Sequence, residues 1–174
     1  IQVSVYCVLF YVPTRIAELL GTGIGLHVGA LTSIPWMATV CMLYAVTRHA
    51  DRKGQQTRYA AWMLALAALG MVGSTLSASL PLVILAFCLA ASGFITVQPL
   101  FWTLPTRLLS GAAAASGIAV IGALGNLGGF LAPTVKTFVE QHFDNPHAGM
   151  YFLAGTALLG ALMLLRSSRA SSGP

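Results

Sequence analysis

Charged residues in this chain come in short clusters, and between the clusters lie apolar runs as long as a lipid hydrocarbon core is thick. Such a core is about 30 Å deep and takes roughly 20 helical residues to cross. Delimited by that length, the sequence reads as six spans: Ile1–Leu19, His27–Thr47, Tyr59–Ser77, Pro81–Leu104, Gly111–Phe138 and Ala148–Leu165. Only 7% of the residues are charged, 57% are hydrophobic and the mean hydropathy is +0.82, whereas an ordinary soluble domain carries roughly 25% charged residues. The chain is therefore an integral membrane protein of the all-α class, a polytopic transmembrane helix bundle over residues 1–165. Residues 166–174, rich in Ser and Arg, have nothing to bury and read as a disordered tail.

Lysine and arginine positions orient the bundle. With Thr47–Arg58 in the cytoplasm, Arg48, Arg52, Lys53, Arg58, Arg107, Arg166 and Arg169 fall inside, and Arg15 and Lys136 outside. The positive-inside bias then puts the C-terminus in the cytoplasm. That distribution also accounts for the net charge of +5, and the basic loop reads as a cytosolic anchor beside the lipid bilayer rather than a nucleic-acid site. Ile1 already stands in an apolar stretch, without the basic flank and small-residue cleavage site of a signal peptide. The expectation is a chain that starts partway through a longer one, its six spans being one half of something larger.

Cys7, Cys41 and Cys88 lie in apolar spans without a CxxC spacing, so buried thiols are expected and no disulfide or metal is assigned. His27 and His49 sit near span ends. His142, Asp144 and His147 lie close together in one loop, a spacing that flexible loops reach without binding an ion. No cofactor motif is present.

The fifth span, with GAAAASGIAVIGALGNLGGFLAP over 111–133, is crowded with glycine and alanine. Ala113, Gly117, Gly125 and Gly129 recur at spacings of four or eight and form one nearly smooth stripe, on which a neighbouring backbone can either pack tightly or slide. Asn126 lies close to the middle of this span, where carriers hold substrate near the bilayer midplane. An amide at that depth either faces a cavity or bonds a neighbouring helix. In the fourth span Gln98 and Trp102 are four apart and share a face, with Pro99 expected to kink the helix and Pro105 to close it. Trp102 reads equally as a site residue or an interfacial anchor. Tyr6, well inside the first span, either faces the same cavity or bonds a neighbour.

Asp51, Arg52 and Gly54 in the loop TRHADRKGQQTR match the D-[RK]-x-G core of a short cytoplasmic loop motif of the major facilitator superfamily. Thr47 replaces that motif's first glycine, and Gln55 and Gln56 its two trailing basic residues. The longer segments YCVLFYVP, GALTSIPW, FWTLPTRLLS and GIAVIGALGNLGGFLAP resemble, in order, the C-terminal six helices of the anion:cation symporter branch of that superfamily. The resemblance implies one half of a twelve-helix carrier whose N-terminal six-helix half is absent from this sequence. It implies cotransport of a small organic anion, such as a sugar acid or another carboxylate, with a proton or other cation. Tyr6, Gln98, Trp102 and Asn126 are then the candidate substrate-binding residues. Asp51, Arg52 and Gly54 form the conformational loop, and Gly117, Gly125 and Gly129 the helix-packing face.

No span of this half carries an acidic residue at depth, so a coupling carboxylate is expected in the absent half. An inactive fragment or accessory membrane subunit is the competing reading. A membrane-embedded enzyme finds no support, because no catalytic constellation gathers near one membrane face.

Overall fold

The computed structural model of the chain describes residues 2–23, 25–76, 79–108, 111–145 and 147–170. Among them, six α-helices follow one another: α1 Gln2–Leu20, α2 Leu26–Lys53, α3 Gln56–Leu76, α4 Leu80–Leu108, α5 Gly111–His142 and α6 Ala148–Ala170. The described residues contain no strand. Helices suit these sequences because lipid offers no hydrogen-bond partner, and a helix satisfies its backbone within one segment. Five of them, α2 to α6, are long and apolar enough to cross a membrane. α1 has 19 residues and carries Arg15 and Glu18 in its last turns.

Several helices outrun the apolar limits read from the sequence. α2 continues past Thr47 to Lys53 and stops where Gly54 takes a left-handed φ of 62°. The Gly54 N–H then reaches the Ala50 and Asp51 carbonyls, and the Gln55 N–H bonds Ala50 O at 3.2 Å, closing the helix as a Schellman-type cap. α4 passes through both Pro99 and Pro105 to Leu108, so Pro105 does not end it. Each proline removes one backbone donor, and the remaining ladder on either side suffices to hold the helix. α5 runs to His142 rather than Phe138. α6 includes residues 166–170, where the sequence suggests a tail; residues 171–174 lie outside the described residues.

The most extensive interface joins α3 to α4, followed by α3 with α6, α2 with α4 and α1 with α5. Leu64 and Met71 of α3, Phe87 and Phe94 of α4, and Met150 and Leu153 of α6 fill the fully buried centre between these helices. Glycine sets the distance there. A Cβ placed on Gly70 would lie 2.5 Å from Ala90 N and 2.6 Å from Ala86 O, and one on Gly93 would lie 2.5 Å from Met63 O. The two helices therefore touch through backbone, which small residues permit in a medium where hydrophobic burial alone cannot pull helices together. Between α2 and α4 the buried Thr39 and Ser92 hydroxyls meet at 3.4 Å. Thr39 already donates to Pro35 O at 2.7 Å, so Ser92 is the donor of that pair.

Large apolar side chains such as Met37, Trp62, Leu69 and Met163 project outward. In water such a surface would be an association liability; in a bilayer it is the lipid-facing side. α5 stands apart from its neighbours: only 6% of its Ala114–Leu131 span is buried in this chain, against 56% for the corresponding span of α4.

Candidate functional site

One face of α5 organises the candidate residues. Gly122, Asn126, Gly129, Pro133, Lys136 and Glu140 follow at alternating spacings of four and three, which stacks them in a single row along the helix. Tyr6 of α1 lies against Gly129 so closely that a Cβ there would fall on the tyrosine ring. Trp102 of α4 reaches toward Gly122, its ring edge 3.9 Å from where a Cβ would stand. Asn126 falls between these two rings along the row, exposed at the surface of this chain. Gln98 and Trp102 are half-buried on α4, and Phe101 packs edge-on to Trp102 with centroids 5.8 Å apart. Because α4 and α5 are consecutive and closely linked, they run antiparallel. Gln98 lies one turn before Trp102 on α4, and Asn126 one turn after Gly122 on α5. An amide with an aromatic ring on either side along the row can offer donors and acceptors to a small polar molecule and flat surfaces to its carbon skeleton.

The structure separates the three expected packing glycines. Gly129 is buried and meets a side chain, where the sequence reading expects a neighbouring backbone, and Gly117 and Gly125 are half-buried. Close backbone contacts occur at Gly70 and Gly93. Their signal was present in the small residues recurring through Ala60–Ser74 and Ala86–Gly93, masked by the higher glycine content of α5.

At the loop between α2 and α3, Asp51 sits in the last turn of α2, an end where the helix dipole disfavours a carboxylate. Gln56, the first residue of α3, offsets this: its amide donates to Asp51 Oδ1 at 3.1 Å, and the residue is buried. A neutral donor thus stands where the related motif has a basic residue. Fully buried Ala50 and Ala60, with His49 and Tyr59 edge-on at 5.7 Å, tie the two helix ends together. Arg48 donates to the Tyr44 hydroxyl at 2.8 Å, and Arg52 is exposed.

Cys41 and Cys88 are free thiols, but Cys41 is exposed at the surface of this chain and Cys88 half-buried, where buried thiols are expected from the sequence; the Cys7 side chain lies outside the described residues. His142 stacks on Phe138 with centroids 6.0 Å apart and meets Phe143 edge-on at 5.3 Å. No group of three His, Cys, Asp or Glu among the described residues could hold a metal. An open groove of about 450 Å³ is lined by Pro133, Thr134, Thr137, Phe138 and Gln141. A second, of about 250 Å³, lies at the α1–α2 connection by Leu20 and His27. Both lie away from the Asn126 level.

No family model matches the sequence. The chain is 42% identical to the inner membrane transport protein RhmT of Escherichia coli over 94% of its own length and 38% of that protein's. It is 34% identical to a putative tartrate transporter of Agrobacterium vitis, over 84% of this chain and 32% of the relative. It is 33% identical to a quinolone resistance transporter of Acinetobacter baumannii, over 94% and 37%. The chain belongs to the major facilitator superfamily of transporters. It spans between a third and two fifths of the length of the relatives it matches. These relatives are named as transporters and none as an enzyme. Membership fits the lipid-facing exterior and apolar helices described above.

Proposed function

We propose that the chain is the C-terminal six-helix half of a secondary active carrier, of the anion:cation symporter branch, that moves a small organic anion by alternating access. Tyr6, Gln98, Trp102 and Asn126 supply neutral hydrogen bonds and ring surfaces to the substrate at mid-membrane. A proton or another cation is the coupling ion. The names of two relatives as putative tartrate transporters favour a hydroxylated carboxylate as cargo, and the name of the RhmT relative favours a bacterial inner membrane. The C-terminus is cytoplasmic on the charge distribution.

The observation that carries this reading is the α5 row. A glycine- and alanine-rich helix with a midspan amide is nearly bare in its own chain, flanked by rings from α1 and α4. Such a helix is stable only when another bundle covers it, and a cavity between two bundles is where carriers of this type bind cargo. In that arrangement Asp51, Arg52 and Gly54 latch the cytoplasmic ends, and the absent N-terminal half contributes the groups that titrate at depth.

Counterflow of labelled tartrate and sugar acids in vesicles containing the full-length carrier tests the proposal. Carboxylate exchange that Asn126→Ala abolishes, with membrane insertion unchanged, is the expected result. Absence of exchange for every carboxylate would overturn it.

A further inference from the structure

The row on α5 does not end at Gly129. Lys136 and Glu140 continue it toward the end of the bundle where α1 leads into α2 and α5 into α6. The Lys136 Nζ lies 2.7 Å from Glu140 Oε1 and 2.9 Å from Oε2, and both side chains are more than four-fifths buried. Nζ also stands over the Tyr11 ring of α1, 5.0 Å from its centroid. On the other side Gly149 of α6 lies close enough that a Cβ would come within 2.6 Å of Lys136 Cγ and 2.9 Å of Glu140 Oε1. Tyr11 is in electrostatic range of Arg15, Glu18 and Glu140. Arg15 bonds Glu18 through Nη1 at 3.1 Å while its Nε is buried without a partner. Two cations and two carboxylates thus gather around one tyrosine, at the end of the α5 row that carries Asn126.

An exposed i,i+4 lysine–glutamate pair contributes little and needs no further account. This pair is different because it is wedged between three helices, and a partly buried ammonium holds strongly to whichever carboxylate neutralises it. Glu140 is such a carboxylate, and an incoming carboxylate is chemically equivalent to it. The cation–π contact leaves Lys136 partly stabilised during exchange, since the Tyr11 ring face attracts an ammonium.

We propose that Lys136, with Arg15 near the same tyrosine, is a docking site for a carboxylate at the end of the α1–α5 seam, and that Glu140 is its resident, displaceable counter-ion. The site is about ten residues, or roughly 15 Å along α5, from Asn126, so it is a separate stop on the path of the anion. It recognises the carboxylate alone, while the Asn126 level reads the rest of the molecule. This inference rests on an organic anion being the cargo.

The chain has two lysines, Lys53 and Lys136, which makes a direct test available. In the full-length carrier, purified in nanodiscs, mass spectrometry follows labelling at Lys136 by an amine-reactive ester. Tartrate at twice its Kd slows that labelling about threefold, as simple occupancy requires, while erythritol and sodium chloride of equal ionic strength do not. Glu140→Gln, which removes the competitor, strengthens protection, and Arg15→Gln weakens it. Lys53 serves as the internal standard. Asn126→Ala loses counterflow yet keeps protection at Lys136. Equal labelling in tartrate and sodium chloride would overturn the docking site even where uptake is normal. Protection without uptake by the native carrier would leave the docking site standing and count against the transport reading.

Discussion

Gly129 offers room for a hydrogen atom and little else, because the Tyr6 ring occupies the place of a Cβ. Adding a methyl group there moves the tyrosine rather than the helix, since a side chain yields more readily than backbone. Gly129→Ala is therefore expected to raise the KM for the transported anion about tenfold, equivalent to about 1.4 kcal/mol. The unfolding midpoint should shift little. Gly155→Ala is the matched control, because nothing lies within 4 Å of a Cβ at that position. Concentration-dependent uptake beside thermal unfolding in detergent reads both variants; a lowered midpoint in Gly129→Ala alone would assign Tyr6 a packing role. Trp102 allows a complementary test. Its ring approaches Gly122 on α5, so Trp102→Phe keeps a ring there and should retain transport, whereas Trp102→Ala should lose it with insertion intact.

Among the helices, the α3–α4 pair is the part least able to absorb change. Both Gly70 and Gly93 face backbone atoms that cannot move without displacing a whole helix, so Gly70→Ala should cost about 1–3 kcal/mol by overpacking. Thermal unfolding in detergent checks this against Gly155→Ala, which should be neutral. At the α2–α3 connection, Asp51→Asn should slow turnover while leaving substrate affinity nearly unchanged. Gln56→Ala, which removes the donor to Asp51, should do the same in part; unchanged turnover in both variants would sink the latch. The helical class was legible in the sequence because lipid imposes a length on every apolar run. Helix ends were less so: hydropathy marks where lipid stops, whereas α2 ends only at the left-handed Gly54, and α4 passes through both of its prolines. Asn126, Gln98 and Trp102 could be picked out as polar or amphipathic groups in apolar surroundings. The partner of each could not, since Tyr6 on Gly129 and Trp102 by Gly122 are contacts between distant segments. Lys136 and Glu140 carried a readable i,i+4 spacing, but Tyr11 and Gly149, which enclose them, come from two other helices.

At the scale of the whole molecule, the chain divides into a slab of α2, α3, α4 and α6 and a pair, α1 with α5, in which α5 is the less enclosed. α5 touches α4 only sparsely, so the row of candidate residues borders a seam rather than a sealed core. If the bare side of α5 is covered by a second bundle in a symporter, uptake by the full-length carrier should follow an imposed proton or cation gradient and collapse with an ionophore, which vesicle flux measurements would show. The slab carries a different consequence. A contact made through backbone has no side chain to trim or enlarge, so it cannot be adjusted in small steps. Adaptation to new cargo has to proceed elsewhere. In a library selected for growth on an unfamiliar carboxylate, Gly70 and Gly93 should come back as glycine in every survivor, while the inward faces of α1, α4 and α5 accumulate the variation.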